Sequence, residues 1–221
     1  MKAESILNDP YYLDCMQKID SIRFQSDGKW DWEHGLGHAS RVADYIVIIL
    51  KQLKCDNETI ELGKIAGLLH DIGLIRGSKS NHAVESSTMT KKYIKKFDLT
   101  ENQEEILIQA ILDHSKGDAI QSMIGMALVL ADKLDVTYHR TIHSSIKDDM
   151  NQNIQKIQKV GIIMNENYLI LNYTVLDNFN KYLLKEWDKC LTIPFKIAQL
   201  TKRRFIFKIN DKEENYDFIF S

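Results

Sequence analysis

The adjacent residues His70 and Asp71, in the segment AGLLHDIGL (66–74), are the most informative chemical feature of the sequence. They follow an apolar run with helical spacing, and burying an imidazole beside a carboxylate costs free energy unless the two groups bind something. Neutral imidazole is the commonest metal ligand in proteins, and carboxylates also bind metals. The pair therefore predicts a metal site.

Further potential ligands lie in other segments with helical apolar spacing. His114 has apolar residues three, four, seven and eight positions before it, and His38 has them four, seven, eight and eleven positions after it. Asp132 has apolar residues three and four positions before it. A single histidine on an apolar helix face is usually a hydrogen-bonded core residue, but several together favour a metal site. The candidate ligands are His38, His70, Asp71, His82, His114 and Asp132.

The size of this set bears on the number of ions. Six candidates exceed the four ligands of a tetrahedral structural zinc site, and none of them is cysteine. Adjacent residues on a helix point about 100° apart, so His70 can face one ion while Asp71 bridges to a second. Mixed imidazole and carboxylate ligands suit transition metals better than calcium or magnesium. We therefore expect two divalent ions, with iron or manganese favoured and zinc or nickel as alternatives.

The order of these motifs resembles the HD-domain superfamily of metal-dependent phosphohydrolases. The resemblance rests on GHASRV, LLHDIG and LADKLD and extends over residues 30–145. It implies a minimal metal site formed by His38, His70, Asp71 and Asp132. His82 and His114 stand where family members with two metals add histidines.

The chain departs from the cyclic-dinucleotide branch of the superfamily. That branch carries a second histidine after the one that matches His114, followed by a Gly-Tyr-Pro signature. Here Ser115 follows His114, and the tripeptide does not occur in the sequence. Cleavage of cyclic di-GMP is therefore not expected.

The expected reaction is hydrolysis of a phosphate ester or anhydride bond in a nucleotide or related small molecule. Two ions about 3.5–4 Å apart can hold a bridging hydroxide and orient a phosphate, without a serine or cysteine nucleophile. Asp71 and His70 are the predicted catalytic pair, with Asp71 bridging the ions. The alternatives are a mixed-valent di-iron oxygenase, which the same ligand set would serve, and an inactive regulatory module that binds a nucleotide.

Nearby basic residues are candidates for contacting substrate phosphate. Lys116 follows His114 by two positions, Lys133 follows Asp132 directly, and Arg76 lies in the segment after the His-Asp pair. His34 could share a helix face with His38, four residues later. Arg76, Lys79 and Arg140 are the weaker candidates. His139 and His143, also four apart, are interpreted as a solvated helix end or an interface.

Composition limits the class of protein. The 221 residues are 44% hydrophobic and 27% charged, a composition that allows the chain to bury a full core. The net charge of −2 gives no general attraction to nucleic acid or an anionic membrane. The N-terminus lacks the apolar core of a signal sequence, and three scattered cysteines indicate reduced thiols. We expect a cytoplasmic protein that acts on a small phosphorylated molecule and contacts neither nucleic acid nor membrane. The sequence leaves the oligomeric state open, with a homodimer as one alternative.

The expected fold is mainly α, an HD-domain helical bundle with a small C-terminal α/β appendage. We divide the chain into a metal-dependent hydrolase domain at 1–158 and an appendage at 159–221. Helices are predicted at 11–24, 37–53, 57–71, 81–97, 101–115 and 119–138. The appendage is predicted as a hairpin in VGIIMNENYLILNYTV, a helix at 178–201 with a kink or break near Pro194, a strand at 205–209 and a final strand at 216–220.

Overall fold

The computed structural model describes residues 2–22, 32–76, 79–117, 120–141 and 149–220. Its contacts divide the chain into two compact units. The first comprises residues 1–24 and 34–132, and the second comprises residues 25–33 and 133–221. The second unit thus starts earlier along the chain than residue 159, where the spacing of apolar residues changes. A boundary drawn from contacts need not coincide with a change of period, and the division at 158/159 stays a prediction.

The first unit is helical, as the sequence predicts. Its helices are α1 (Ala3–Leu7), α2 (Pro10–Ser21), α3 (Leu36–Gln52), α4 (Asn57–Leu69), α5 (His82–Tyr93), α6 (Glu101–Asp113) and α7 (Met123–Leu134), whose last two residues belong to the second unit. A 3₁₀ segment, Ile72–Arg76, follows α4, and another, Ile94–Lys96, follows α5.

Local sequence explains where several of these helices begin. The Asp56 side chain caps α4 by accepting a 2.7 Å hydrogen bond from the Thr59 N–H. Thr100 and Gln103 form the predicted capping box at the start of α6, with hydrogen bonds of 3.3 and 2.8 Å between side chain and backbone. These caps satisfy N–H groups that have no partner within the helix.

Packing then fixes the helices against one another. The buried face of α3 repeats at helical spacing, and α3 packs along α4. Helix α5 packs against α6 and against the 3₁₀ segment Ile72–Arg76. The hydroxyl of buried Tyr12 donates a 2.9 Å hydrogen bond to the Leu68 carbonyl, which ties α2 to the last turn of α4. The elements that end in candidate ligands are therefore held by contacts along their length.

The second unit contains a four-stranded sheet. Its elements include a 3₁₀ segment (Tyr138–Arg140), α8 (Asp149–Ile154), β1 (Ile157–Met164), β2 (Tyr168–Val175), a 3₁₀ segment (Lys181–Trp187), α9 (Lys189–Leu200), β3 (Arg204–Ile209), β4 (Lys212–Glu213) and a last 3₁₀ turn (Asp217–Ile219). The strand order is β1-β2-β3-β4, with β1 and β2 antiparallel, β2 and β3 parallel, and β4 antiparallel to β3. The predicted mainly α fold with a small C-terminal α/β part is confirmed.

Some predicted elements differ from those observed. The helix predicted at 178–201 is two segments, because the chain changes from 3₁₀ to α geometry at Asp188, and α9 runs through Pro194. The helix predicted at 119–138 covers only Met123–Leu134 within the described residues. The strand predicted at 216–220 is wrong, since a 3₁₀ turn occupies Asp217–Ile219. Alternating apolar residues form a strand only where a partner strand is available.

Among the residues that the structure describes, no helix has both the length and the apolar character needed to cross a membrane.

Candidate metal centre

The six candidate ligands lie at or next to helix ends. His70 and Asp71 directly follow α4, and His114 directly follows α6. His82 is the first residue of α5, whereas His38 lies in the first turn of α3. Asp132 lies in the last turn of α7. Side chains at helix ends can meet at one point without interrupting the helical hydrogen bonds.

One group of ligand atoms comes from α3, α4 and α7. The His38 Nε2 atom lies 3.2 Å from the His70 Nε2 atom and 3.4 Å from the Asp132 Oδ1 atom. The distance between His70 Nε2 and Asp132 Oδ1 is 3.9 Å. Both imidazoles are fully buried, and the Asp132 side chain is 12% exposed. We call this set, His38, His70 and Asp132, the first ligand group; its atoms are close enough to hold one metal ion.

A second group lies on the other side of Asp71. The Nε2 atoms of His82 and His114 are 3.0 Å apart, and each lies 3.5 Å from the Asp71 Oδ1 atom. His114 is buried, whereas the His82 side chain is 20% exposed. We call His82 and His114 the second ligand group. It is the more accessible of the two.

Asp71 lies between the two groups. Its Oδ2 atom is 3.4 Å from His70 Nε2 and 3.7 Å from His38 Nε2. Its Oδ1 atom faces the second group at the distances given above. The two oxygens of a single carboxylate therefore face different pairs of histidines, which is the arrangement of a bridging ligand.

Backbone carbonyls fix the protonation of three of these rings. His70 Nδ1 donates to the Gly67 carbonyl at 2.8 Å, His82 Nδ1 to the Lys79 carbonyl at 2.6 Å, and His114 Nδ1 to the Ile111 carbonyl at 2.6 Å. A carbonyl oxygen can only accept, so each Nδ1 carries the hydrogen. In the neutral rings the Nε2 lone pairs then point into the centre, as metal ligation requires.

The ionisable groups of the centre shift one another's pKa values. Burial lowers the pKa of the His114 imidazole, which favours the neutral form that binds metal. Burial acts in the same direction on His70, but the carboxylates of Asp71 and Asp132 outweigh it and raise the pKa of His70. Burial opposes ionisation of Asp71, yet the surrounding histidines, His70 foremost, hold the pKa of Asp71 well below its usual value. Converging lone pairs around an ionised carboxylate are a donor set that fits divalent metal.

The predicted phosphate-binding residues lie in different surroundings. The Lys116 ammonium contacts the buried Asp113 carboxylate at 2.8 Å, and the lysine side chain is 56% exposed. Arg76 pairs with Glu85 at 3.1 Å. The His34 ring lies with its centroid 6.0 Å from that of His38, in an edge-to-face arrangement. Lys133 is half-buried next to Asp132 on α7.

Two features of the site were not found by sequence reasoning. The first is Asp113, a buried carboxylate that accepts hydrogen bonds from Lys116 and from the Gln109 amide. Its position one residue before His114 was the available signal. The second is the shared pattern of the three Nδ1 hydrogen bonds, each made to the carbonyl three residues earlier. A histidine just beyond a helix end, or at its first residue, could have suggested this pattern.

A family model and solved structures are similar to parts of the chain. The HD domain family model matches residues 35–137. A crystal structure of a predicted HD superfamily hydrolase from an uncultured Thermotogales bacterium is similar to the chain at 22% identity, with a TM-score of 0.44, covering 61% of this chain and 73% of that one. No curated protein shows significant similarity to the chain. The family match includes all six candidate ligands and the five helices α3 to α7, and residues 35–137 of the chain are an HD domain.

Proposed function

We propose that the chain is a metal-dependent phosphohydrolase that cleaves a phosphate ester or anhydride bond in a nucleotide or related small molecule, using two divalent ions. The observation that carries this proposal is the placement of Asp71. Its Oδ2 atom faces His38 and His70, and its Oδ1 atom lies 3.5 Å from both histidines of the second group. One carboxylate between two sets of nitrogen ligands suits a pair of ions better than a single ion.

Each residue has a role in this proposal. The first ligand group would hold one ion and the second group the other, with Asp71 shared between them. Ions bound there would supply Lewis acidity and lower the pKa of a bound water towards neutrality. The three Nδ1 hydrogen bonds to carbonyls keep the imidazoles oriented, so little reorganisation is needed when ions bind.

The substrate is expected to approach from the side of His82. This ring is 20% exposed, while His38 and His70 are fully buried. The second group also provides fewer protein ligands than the first, which leaves more coordination positions for water and substrate oxygens. Lys116, which follows His114 by two residues and has a side chain that is 56% exposed, is the proposed phosphate contact on this side.

We further propose that the partner is a small phosphorylated molecule and not a nucleic acid or a membrane. The net charge of −2 provides no general attraction to a polyanion. Phosphate recognition would then depend on the bound ions and a few nearby basic residues.

The test combines metal analysis with a substrate screen. Protein purified without added metal is analysed for its elements and then assayed for phosphate release from a panel of nucleoside mono-, di- and triphosphates, with and without oxygen. We expect bound transition metal, anaerobic turnover of at least one nucleotide, loss of turnover with a chelator, and recovery with Mn²⁺.

Two variants sharpen this test. Asp71→Asn should abolish turnover, whereas His139→Gln, a change to an exposed histidine of the second unit, should leave it intact. Protein without bound metal, turnover that survives chelation, or activity that stops without oxygen would contradict the proposal.

A further inference from the structure

We propose that two glycines, Gly73 and Gly67, are separate positioning residues for the two halves of the metal centre. Gly73 sets the separation between Asp71 and the second ligand group, and Gly67 sets the separation between His38 and His70. The inference rests on the two-ion site of the proposed function and adds how the chain builds each half.

Gly73 lies where the 3₁₀ segment Ile72–Arg76 meets the first turn of α5. A Cβ atom at Gly73 would lie 2.7 Å from the His82 carbonyl oxygen and 2.7 Å from the Glu85 carbonyl carbon, and closer still to the Ser86 nitrogen. Real Cβ atoms essentially never approach other atoms within 3.0 Å. All three neighbours are backbone atoms, which cannot rotate away. A side chain here would therefore push α5 and the 3₁₀ segment apart.

The same contact is held by a buried hydrogen bond. The Gly73 N–H donates to the Ser86 hydroxyl at 2.9 Å, and Ser86 is fully buried. Asp71 precedes Gly73 by two residues, and the Leu74 N–H donates to the Asp71 carbonyl at 2.9 Å. The short Gly73–Ser86 contact thus fixes the start of α5, and with it His82, relative to Asp71.

Gly67 has the corresponding place between α3 and α4. A Cβ atom at Gly67 would lie 2.7 Å from the Ala43 Cα atom and 2.9 Å from the Ala43 nitrogen. The Gly67 carbonyl also accepts the hydrogen bond from His70 Nδ1. A side chain at Gly67 would move α3 from α4 and lengthen the 3.2 Å distance between the Nε2 atoms of His38 and His70.

Gly63 offers a matched control in the same helix pair. A Cβ atom there would approach only side-chain atoms, 2.5 Å from Leu50 Cδ1 and 2.8 Å from Ile46 Cγ2. These side chains can shift without moving the backbone. Gly63→Ala therefore perturbs the packing of α3 and α4 without the backbone overlap expected at Gly67.

The experiment measures ion binding and not turnover. Metal-free protein is titrated with Mn²⁺ by calorimetry, and the ions bound per chain and their affinities are compared for the wild type, Gly73→Ala, Gly67→Ala and Gly63→Ala. Loss of a residue that supports a metal ligand typically weakens affinity about 10- to 100-fold. We expect the wild type to bind two ions. Gly73→Ala and Gly67→Ala should each weaken the affinity for one of the two ions at least about tenfold. Gly63→Ala should change neither affinity by more than about twofold.

The same glycine substitutions, made in a His82→Ala protein, assign each effect to one half of the metal centre. His82→Ala disables the second ligand group and keeps His38, His70 and Asp132. In that protein, Gly73→Ala should change the affinity for the remaining ion by less than about twofold, and Gly67→Ala should weaken it at least about tenfold. Equal effects of the two glycine variants in this background would overturn the inference, as would a wild type that binds fewer than two ions.

If Gly73→Ala fails to fold, Ser86→Ala serves in its place, since it removes the hydroxyl that accepts from Gly73 and adds no atoms. We expect Ser86→Ala to weaken the affinity for one ion when made in the wild type, and to leave the affinity for the remaining ion unchanged when made in the His82→Ala protein. Unchanged binding of both ions by Ser86→Ala would overturn the role of this contact. Protein that binds two ions in the expected pattern but cleaves no phosphoester would contradict the proposed function and support this inference.

Discussion

The Nε2 atoms of His82 and His114 lie 3.0 Å apart, while the Nδ1 atom of each ring donates a hydrogen bond to a backbone carbonyl. In the neutral rings, each Nε2 therefore directs a lone pair towards the other. The Asp71 Oδ1 atom adds negative charge 3.5 Å from both. Such an arrangement is electrostatically favourable only when a cation or a proton lies among these atoms, which makes the second ligand group the most direct structural indication of metal binding.

Removal of metal should destabilise the protein, because ions that bind only the folded state add their binding free energy to stability. With free ion at one hundred times its Kd, this amounts to about 2.7 kcal/mol for a single site. For a chain of this size we expect the Tm to fall by about 5–10 °C when a chelator replaces Mn²⁺. Differential scanning calorimetry measures this change, and equal melting temperatures in the two conditions would contradict it.

His82→Ala should remove the more exposed half of the centre and leave the first ligand group in place. Loss of a direct ligand should cost more than the roughly 10- to 100-fold effect typical of a supporting residue. We expect kcat to fall by more than about 100-fold while one ion per chain stays bound. Elemental analysis and steady-state kinetics on the same preparation check both parts, with His139→Gln as the control. Loss of both ions would show that the two ligand groups do not bind independently.

Lys116→Ala should weaken substrate binding without changing metal content. The lysine side chain is more than half exposed and its ammonium contacts Asp113, so a substrate phosphate can replace water around it. A hydrogen bond to a charged group contributes about 1.5–3 kcal/mol when well formed, and exposure reduces this. We expect KM to rise about three- to tenfold with little change in kcat. Lys92→Ala, an exposed lysine on α5, is the matched control, and unaltered kinetics in Lys116→Ala would count against the contact.

Asp9 should contribute stability that depends on pH. Its carboxylate accepts hydrogen bonds from the Tyr11 N–H at 2.8 Å, where it caps α2, from the Tyr93 hydroxyl at 2.9 Å, and from Lys96. The Lys96 hydrogen bond is the main cause that lowers the pKa of Asp9 below its usual 3.8. Because the folded state binds this proton less tightly than the unfolded state, the contribution is complete above the unfolded pKa and is lost as pH falls through the lower folded pKa.

Asp9→Ala should therefore cost about 1 kcal/mol of unfolding free energy near pH 7, the usual effect of losing a helix cap. The difference from the wild type should shrink as the pH is lowered below 3.8. Urea unfolding at neutral and acidic pH measures it. Asp14→Ala breaks the exposed Lys18–Asp14 pair and should leave the free energy of unfolding nearly unchanged. A difference between Asp9→Ala and wild type that is independent of pH would show that the charge plays no part.

Local features of the chain predicted most of the helices. The capping box at Thr100 and the buried repeat of α3 depend on neighbours a few residues away, so they can be recognised without the fold. The C-terminal part was harder to predict. The apolar residues at 216–220 match a strand by period, but β3 pairs with β2 and the short β4, and the segment contains a 3₁₀ turn. Whether an apolar run becomes a strand depends on a partner that local pattern does not specify.

The sequence by itself determined the order and kind of the candidate ligands, the helical context of each and the resemblance to the HD-domain superfamily, because each of these depends on residue type and short spacing. Only the tertiary structure decided that the two oxygens of Asp71 face different histidine pairs. It also decided that His38 meets His70, and His82 meets His114, each across 32 positions of chain. Those distances depend on how closely helices pack, and that closeness depends on contacts such as Gly67 against Ala43 and Gly73 against Ser86.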